Sequence, residues 1–170
     1  MFADRLFDSL AIQFSHFVVT EEELIAAMSC VAPNGLVKVV DWTATIDDRH
    51  LPTTIGFFVE LDGDQGMVPY VYVLPCVSLM KHFGNWHSAA LAPERALDEL
   101  SRSNENIAEA PARDLFRQPT IRIVRSGTFS DFRQLKLDEG GNNLGQIKVP
   151  VILLKPAYIT WFSDRVVQEL

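Results

Sequence analysis

Apolar residues gather most densely between Leu51 and Pro75. Two runs, Thr53–Leu61 and Met67–Leu74, flank the polar stretch Asp62-Gly63-Asp64-Gln65-Gly66. Gly and Asp supply the backbone angles that a hairpin turn needs. Ile, Phe, Val and Tyr in the flanks suit a pleated, half-buried surface. The pattern predicts a hairpin in the middle of a sheet. Upstream, Leu36–Ile46 alternates: Leu36, Val40, Trp42, Ala44 and Ile46 form the apolar side, and Asp41, Thr43 and Thr45 the solvent-facing one.

Helical spacing appears elsewhere. Phe2, Leu6 and Leu10, with Phe7 and Phe14, make an apolar stripe that predicts a helix over 3–13. Thr20 followed by Glu23 has capping-box spacing, predicting a helix over Thr20–Ala32. Pro93 at a first-turn position starts a helix continuing through Glu94–Arg102. The polar, Asn/Glu-rich stretch that follows makes residues 101–119 the candidate mobile loop. Strands are expected at 120–125, 132–138 and Gln146–Leu154. A last helix starts at Pro156, with Ile159, Phe162 and Val166 inward.

The order α-α-β-β-β-α-β-β-β-α does not alternate as a doubly wound fold would. It predicts a single α+β domain over residues 1–170. A mainly antiparallel sheet of five or six strands is covered by the N-terminal, second and C-terminal helices.

Composition narrows the picture. At 170 residues, 48% hydrophobic and 22% charged, the chain suits one folded domain. No window approaches the roughly 18 consecutive apolar residues of a membrane span. Asp4, Arg5 and Asp8 interrupt the first apolar residues, so no signal peptide is read there, and a cytoplasmic location is expected. Cys30 and Cys76 sit among apolar residues, as buried thiols do. The net charge of −7 is uneven: residues 1–110 carry 16 acidic and 6 basic side chains, residues 111–170 carry 6 and 9. The acidic part repels phosphates and suits a basic partner.

Three constellations bear on chemistry. Asp47, Asp48 and His50, with Asp41 nearby, combine carboxylates and imidazole that could ligate a divalent metal, but adjacent aspartates rarely point at one ion, and a solvated turn explains them better. Arg122, Arg125, Arg133 and Lys136 could line a basic face for nucleic acid, against the overall charge. Phe2, Phe7, Phe14 and Phe17, with Trp86 and His87, could present an interaction surface. His82 and His87 are wrongly spaced for a helical zinc pair. No serine-hydrolase or nucleotide-binding motif is present, and no cofactor is implied.

With no convergent catalytic set, the expected function is non-enzymatic. The chain reads as a subunit, adaptor, inhibitor or immunity-type partner of another protein or of its own copies. The alternatives are a small metal-dependent hydrolase using Asp41, Asp47, Asp48 and His50, and a nucleic-acid binder on the basic C-terminal sheet.

Overall fold

The computed structural model describes residues 11–14, 17–34, 39–62, 91–140 and 147–170. A short antiparallel ribbon, β1 (Ala11–Gln13) and β2 (Val18–Thr20), leads directly into helix α1 (Glu21–Asn34). The capping box forms as its spacing requires. The Thr20 N–H donates to Glu23 Oε2 at 2.7 Å, and the Glu23 N–H donates to Thr20 Oγ1 at 3.3 Å. Three glutamates in the first turn also complement the helix dipole.

The sheet begins with β3 (Val39–Asp47) and β4 (Thr54–Leu61), paired antiparallel from Val39 opposite Leu61 to Asp47 opposite Thr54. Every residue of β4 is buried, as expected of an inner strand with cover on both faces. The chain then passes through α2 (Ala92–Ser103), α3 (Glu105–Glu109) and a 3-10 turn (Pro111–Arg113) before β5 (Thr120–Val124). β5 runs parallel to β4, with Gly56 opposite Thr120 and Phe58 opposite Arg122. Parallel neighbours require a long connection, and residues 62–119 span it. Helices α4 (Thr128–Asp138) and α5 (Pro156–Ser163) follow, then β6 (Val166–Glu169), antiparallel to β5. The strand order is β3-β4-β5-β6.

Strand alternation sends side chains to two faces, and each face has its own core. Ala44, Phe57, Val59, Ile121 and Ile123 join Leu24, Met28, Val31, Ala96 and Leu100 of α1 and α2 on one side. Phe58 and Val124 join Phe129 and Phe132 of α4, Phe162 of α5 and Leu153 on the other. The aromatic rings of the second core lie about one contact apart, with Phe129 and Phe132 each 5.0 Å from Phe162.

Two polar devices fasten the second layer. Glu60, buried in β4, accepts from the Gly127 N–H at 2.8 Å and the Phe129 N–H at 2.9 Å. A strand carboxylate thereby caps the start of α4, where backbone donors lack helical partners. Gly127 supplies the left-handed turn there, at φ +83°. On the free edge of β3, residues 150–153 lie alongside. The Ala44 N–H donates to the Val151 carbonyl, and the Leu153 N–H donates to the Ala44 carbonyl. The buried Thr43 and Thr45 hydroxyls donate to the Pro150 and Leu153 carbonyls.

The α+β class holds, but the main sheet is mixed and four-stranded rather than mainly antiparallel with five or six strands. Residues 11–13 form a strand, not the end of a helix; residues 1–10 lie outside the described set. The expected strand 132–138 belongs to α4: Phe129 and Phe132 share an inward helical face, which outweighs the alternation of Leu135 and Leu137. Residues 147–154 form an irregular edge segment with a single bridge, Ala44 to Ile152, rather than a long strand. Val166 opens β6 instead of extending the last helix. Thr43 and Thr45 face the 150–153 segment rather than solvent. The 101–119 stretch holds α3 and the 3-10 turn, with Ile107 and Phe116 buried. The second hairpin strand, Met67–Leu74, lies outside the described residues.

Glu60→Gln tests the cap. A glutamine offers one carbonyl oxygen where the carboxylate offers two, so one buried N–H loses its acceptor. A loss of about 1–3 kcal/mol is expected in urea unfolding.

Candidate functional site

The ends of all four sheet strands meet at one corner. Asp47 closes β3, Thr54 and Gly56 open β4, Thr120 and Arg122 open β5, and Glu169 closes β6. Antiparallel register places Arg122 opposite Glu169, and Arg49 joins from the turn after β3. The result is a cluster of three guanidinium groups around a buried Asp47, with Arg122 buried beside it and Arg49 and Arg117 toward the surface.

Asp47 is the hub, with its side chain fully buried. Arg49 grips it as a fork, Nε to Oδ1 at 2.9 Å and Nη2 to Oδ2 at 2.8 Å, a geometry that matches a planar carboxylate. The Arg49 backbone N–H adds a third contact, at 3.2 Å to Oδ1. Thr120 Oγ1 donates to Oδ2 at 2.7 Å. Arg122 Nη2 and Arg117 Nη2 approach the same oxygen to 2.6 and 3.2 Å. Arg49 also bridges to Glu169, with Nη1 2.8 Å from Oε2. Arg122 continues over the Phe58 ring, 5.1 Å from its centroid, so that its charge faces a π surface on one side.

Gly56 makes the approach of Arg122 feasible. A Cβ at that position would lie 2.9 Å from Arg122 Nη2 and 3.2 Å from Thr120 Oγ1. Burial by itself pushes the Asp47 carboxyl up. The contacts from Arg49, Arg122 and Thr120 outweigh it and hold the group well below the usual carboxylate range. Asp47 and, to a smaller extent, Glu169 in turn raise the pKa of Arg49.

The residues singled out from sequence are dispersed by the fold. Asp41 and Asp47 lie near opposite ends of β3, roughly 20 Å apart for six residues of strand. Asp41 pairs with Arg133 of α4, while Asp48 and His50 are exposed. Among the described residues no three His, Cys, Asp or Glu side chains come together in a metal-binding arrangement. The basic set is divided too. Arg122 is buried on Asp47, Arg133 is paired with Asp41, and Arg125 is exposed. Lys136 reaches Tyr158 Oη at 2.8 Å and Glu139 at 3.4 Å. Its pKa is raised, first by the Tyr158 contact, and the same hydroxyl lowers that of Glu139. Phe14 and Phe17 are buried, stacked at 4.7 Å and edge-on to Phe116. They belong to the core and not to an exposed arm. Phe2, Phe7, Trp86 and His87 lie outside the described residues. Sequence reasoning missed the pairing of Asp47 with Arg49, Arg117 and Arg122; the only signal was an aspartate ending an apolar strand.

The fold and corner define an α+β domain with a mixed sheet, closed at one end by an arginine–carboxylate cluster around the buried Asp47. Residues 22–157 match the model of the GH3 family C-terminal domain, so the chain belongs to that family. Among solved structures it is similar to a GH3.15 acyl acid amido synthetase, with a TM-score of 0.72 and 15% identity, covering 95% of this chain and 27% of that one. It is also similar to an AtGH3.15 acyl acid amido synthetase in complex with 2,4-DB, with a TM-score of 0.71 and 16% identity, covering 95% of this chain and 26% of that one. The chain thus spans about a quarter of the length of these solved chains. No curated protein matches it.

Family membership overturns the expectation of a non-enzymatic subunit, adaptor, inhibitor or immunity-type partner. The metal-dependent hydrolase and the nucleic-acid binder fall with it. The missing catalytic set was misread as the mark of a non-enzymatic protein. A domain equivalent to a quarter of a synthetase need not carry a complete set itself.

Two outcomes test the corner. The unfolded Asp47 carboxyl has an ordinary pKa near 4, and the folded one lies below it, so the unfolded chain takes up the proton more readily. The stability it provides is complete above about pH 4 and is lost progressively as pH falls below that value. Asp47→Asn is expected to cost about 3–5 kcal/mol at pH 7, by leaving buried guanidinium charge uncompensated, and to flatten the acid limb of a stability–pH curve. Gly56→Ala, which drives a methyl into Arg122, is expected to cost about 1–3 kcal/mol in the same denaturation measurement.

Proposed function

We propose that this chain serves as the C-terminal domain of an acyl acid amido synthetase, an enzyme that joins a carboxylic acid to an amine through an amide bond. The observation that carries this reading is the family match over residues 22–157. The fold likeness to two amido synthetases across 95% of the chain supports it. A free carboxylate is a poor electrophile, because its negative charge repels an amine and its oxygen is a poor leaving group. Amide synthesis therefore needs activation of the acid, which a synthetase draws from nucleoside triphosphate cleavage.

Its partner is the polypeptide that supplies the remaining three quarters found in the solved relatives, joined to it or separate. The two cores built on one sheet support a single α+β domain over residues 1–170. A cytoplasmic location fits the same reading, since the nucleotide is abundant there. Among the described residues no helix is long and apolar enough to cross a membrane.

The reading is tested by combining the chain with the corresponding larger region of a family member from the same source. A panel of carboxylic acids, amino acids and ATP is supplied, and conjugates are sought by mass spectrometry. Conjugate is expected with both parts and from neither alone. Absence of conjugate across the panel, with both parts folded, would overturn it.

A further inference from the structure

We propose that the mouth of the Asp47 cluster binds an oxyanion, a phosphate or carboxylate group, through Arg117 and Arg49. Four donors crowd a single oxygen, Asp47 Oδ2: Arg49 Nη2, Thr120 Oγ1, Arg122 Nη2 and Arg117 Nη2, all within 3.2 Å. A carboxylate oxygen has two lone pairs and cannot accept from all four in good alignment. The shortfall falls on two arginines. Nε of both Arg117 and Arg122 is buried without a hydrogen-bond acceptor, and Nη2 of each, though close to Asp47 Oδ2, is not aligned to donate to it. Buried donors left in that condition are rare in folded proteins and signal a missing acceptor.

Charge points the same way. Among the described residues, Arg49, Arg117 and Arg122 pair with two carboxylates, Asp47 and Glu169, so the paired groups carry one positive charge in excess. Access comes from the outer pair. The Arg49 and Arg117 side chains are 43% and 25% exposed, while that of Arg122 is 4% exposed. An incoming oxyanion draws the Arg117 fork outward from its buried position, takes its Nε and Nη2 in the planar geometry that guanidinium favours, and leaves Asp47 to Arg49, Thr120 and Arg122.

This binding does not depend on amide synthesis, so the chain alone suffices to test it. Thermal unfolding and calorimetric titration are run with sodium phosphate and with sodium acetate, each against sodium chloride at matched ionic strength. A saturable rise in melting temperature beyond the chloride control is expected, with affinity falling about tenfold or more in Arg117→Ala. Arg117→Lys keeps the charge without the fork and is expected to bind more weakly than the native chain. It supplies the comparison if Arg117→Ala does not fold. A response to phosphate alone identifies a phosphoryl source, and an equal response to acetate a carboxylate one; either upholds the site. No response beyond chloride, or native affinity in the Arg117 variants, would overturn it.

Discussion

The fold closes on one buried carboxylate. Asp47 ties the turn after its own strand, through Arg49, to the start of the 120s strand, through Arg117, Thr120 and Arg122, in a single electrostatic knot. Buried ions are costly to desolvate and stabilise only when their contacts are dense. Here the contacts are dense on one side and incomplete on the other. Asp47 is engaged on both oxygens, while two of its arginines retain donors that nothing accepts. The corner is firmly placed but not chemically saturated.

The rest of the sheet is arranged so that this corner can exist. A glycine in β4 leaves room for the Arg122 guanidinium, and Phe58, its neighbour two residues on, offers that guanidinium an aromatic face. Parallel pairing of β4 with β5 brings Thr120 level with Gly56, so hydroxyl and guanidinium reach the same oxygen. At the far end of the same strand pair, Glu60 anchors α4 through two backbone N–H groups. Acidic side chains in the sheet therefore do unlike jobs: one collects cations, the other caps a helix.

How much of this was legible depends on the range of the interaction. The Thr20–Glu23 capping box and the buried run of β4 are written within a few residues, and both appear in the structure. The 132–138 segment was misjudged because Leu135 and Leu137 alternate like a strand, while the decisive inward residues, Phe129 and Phe132, lie just before it. Asp47 was singled out as a metal ligand beside Asp41, Asp48 and His50, whereas the structure surrounds it with Arg49, Thr120 and Arg122. Its neighbours in sequence, Asp48 and His50, point to solvent, and Thr120, which does bind it, is 73 residues away. Contacts of that span follow from strand pairing, which a single sequence does not disclose. The function was out of reach for a related reason: the chain spans about a quarter of the length of the solved chains it resembles, and among its described residues no three His, Cys, Asp or Glu side chains gather.

The parallel pairing at the centre of the sheet also has a temporal consequence. β4 and β5 touch side by side, yet residues 62–119 must be made between them, and β6 is made after every other described element. During synthesis β4 therefore emerges long before its second neighbour, with apolar side chains on both faces and only β3 to shield one edge. The nascent chain passes through an interval in which its most adhesive strand is half-dressed. That interval ends only when the polypeptide has passed Val124 and the second neighbour can pair with it.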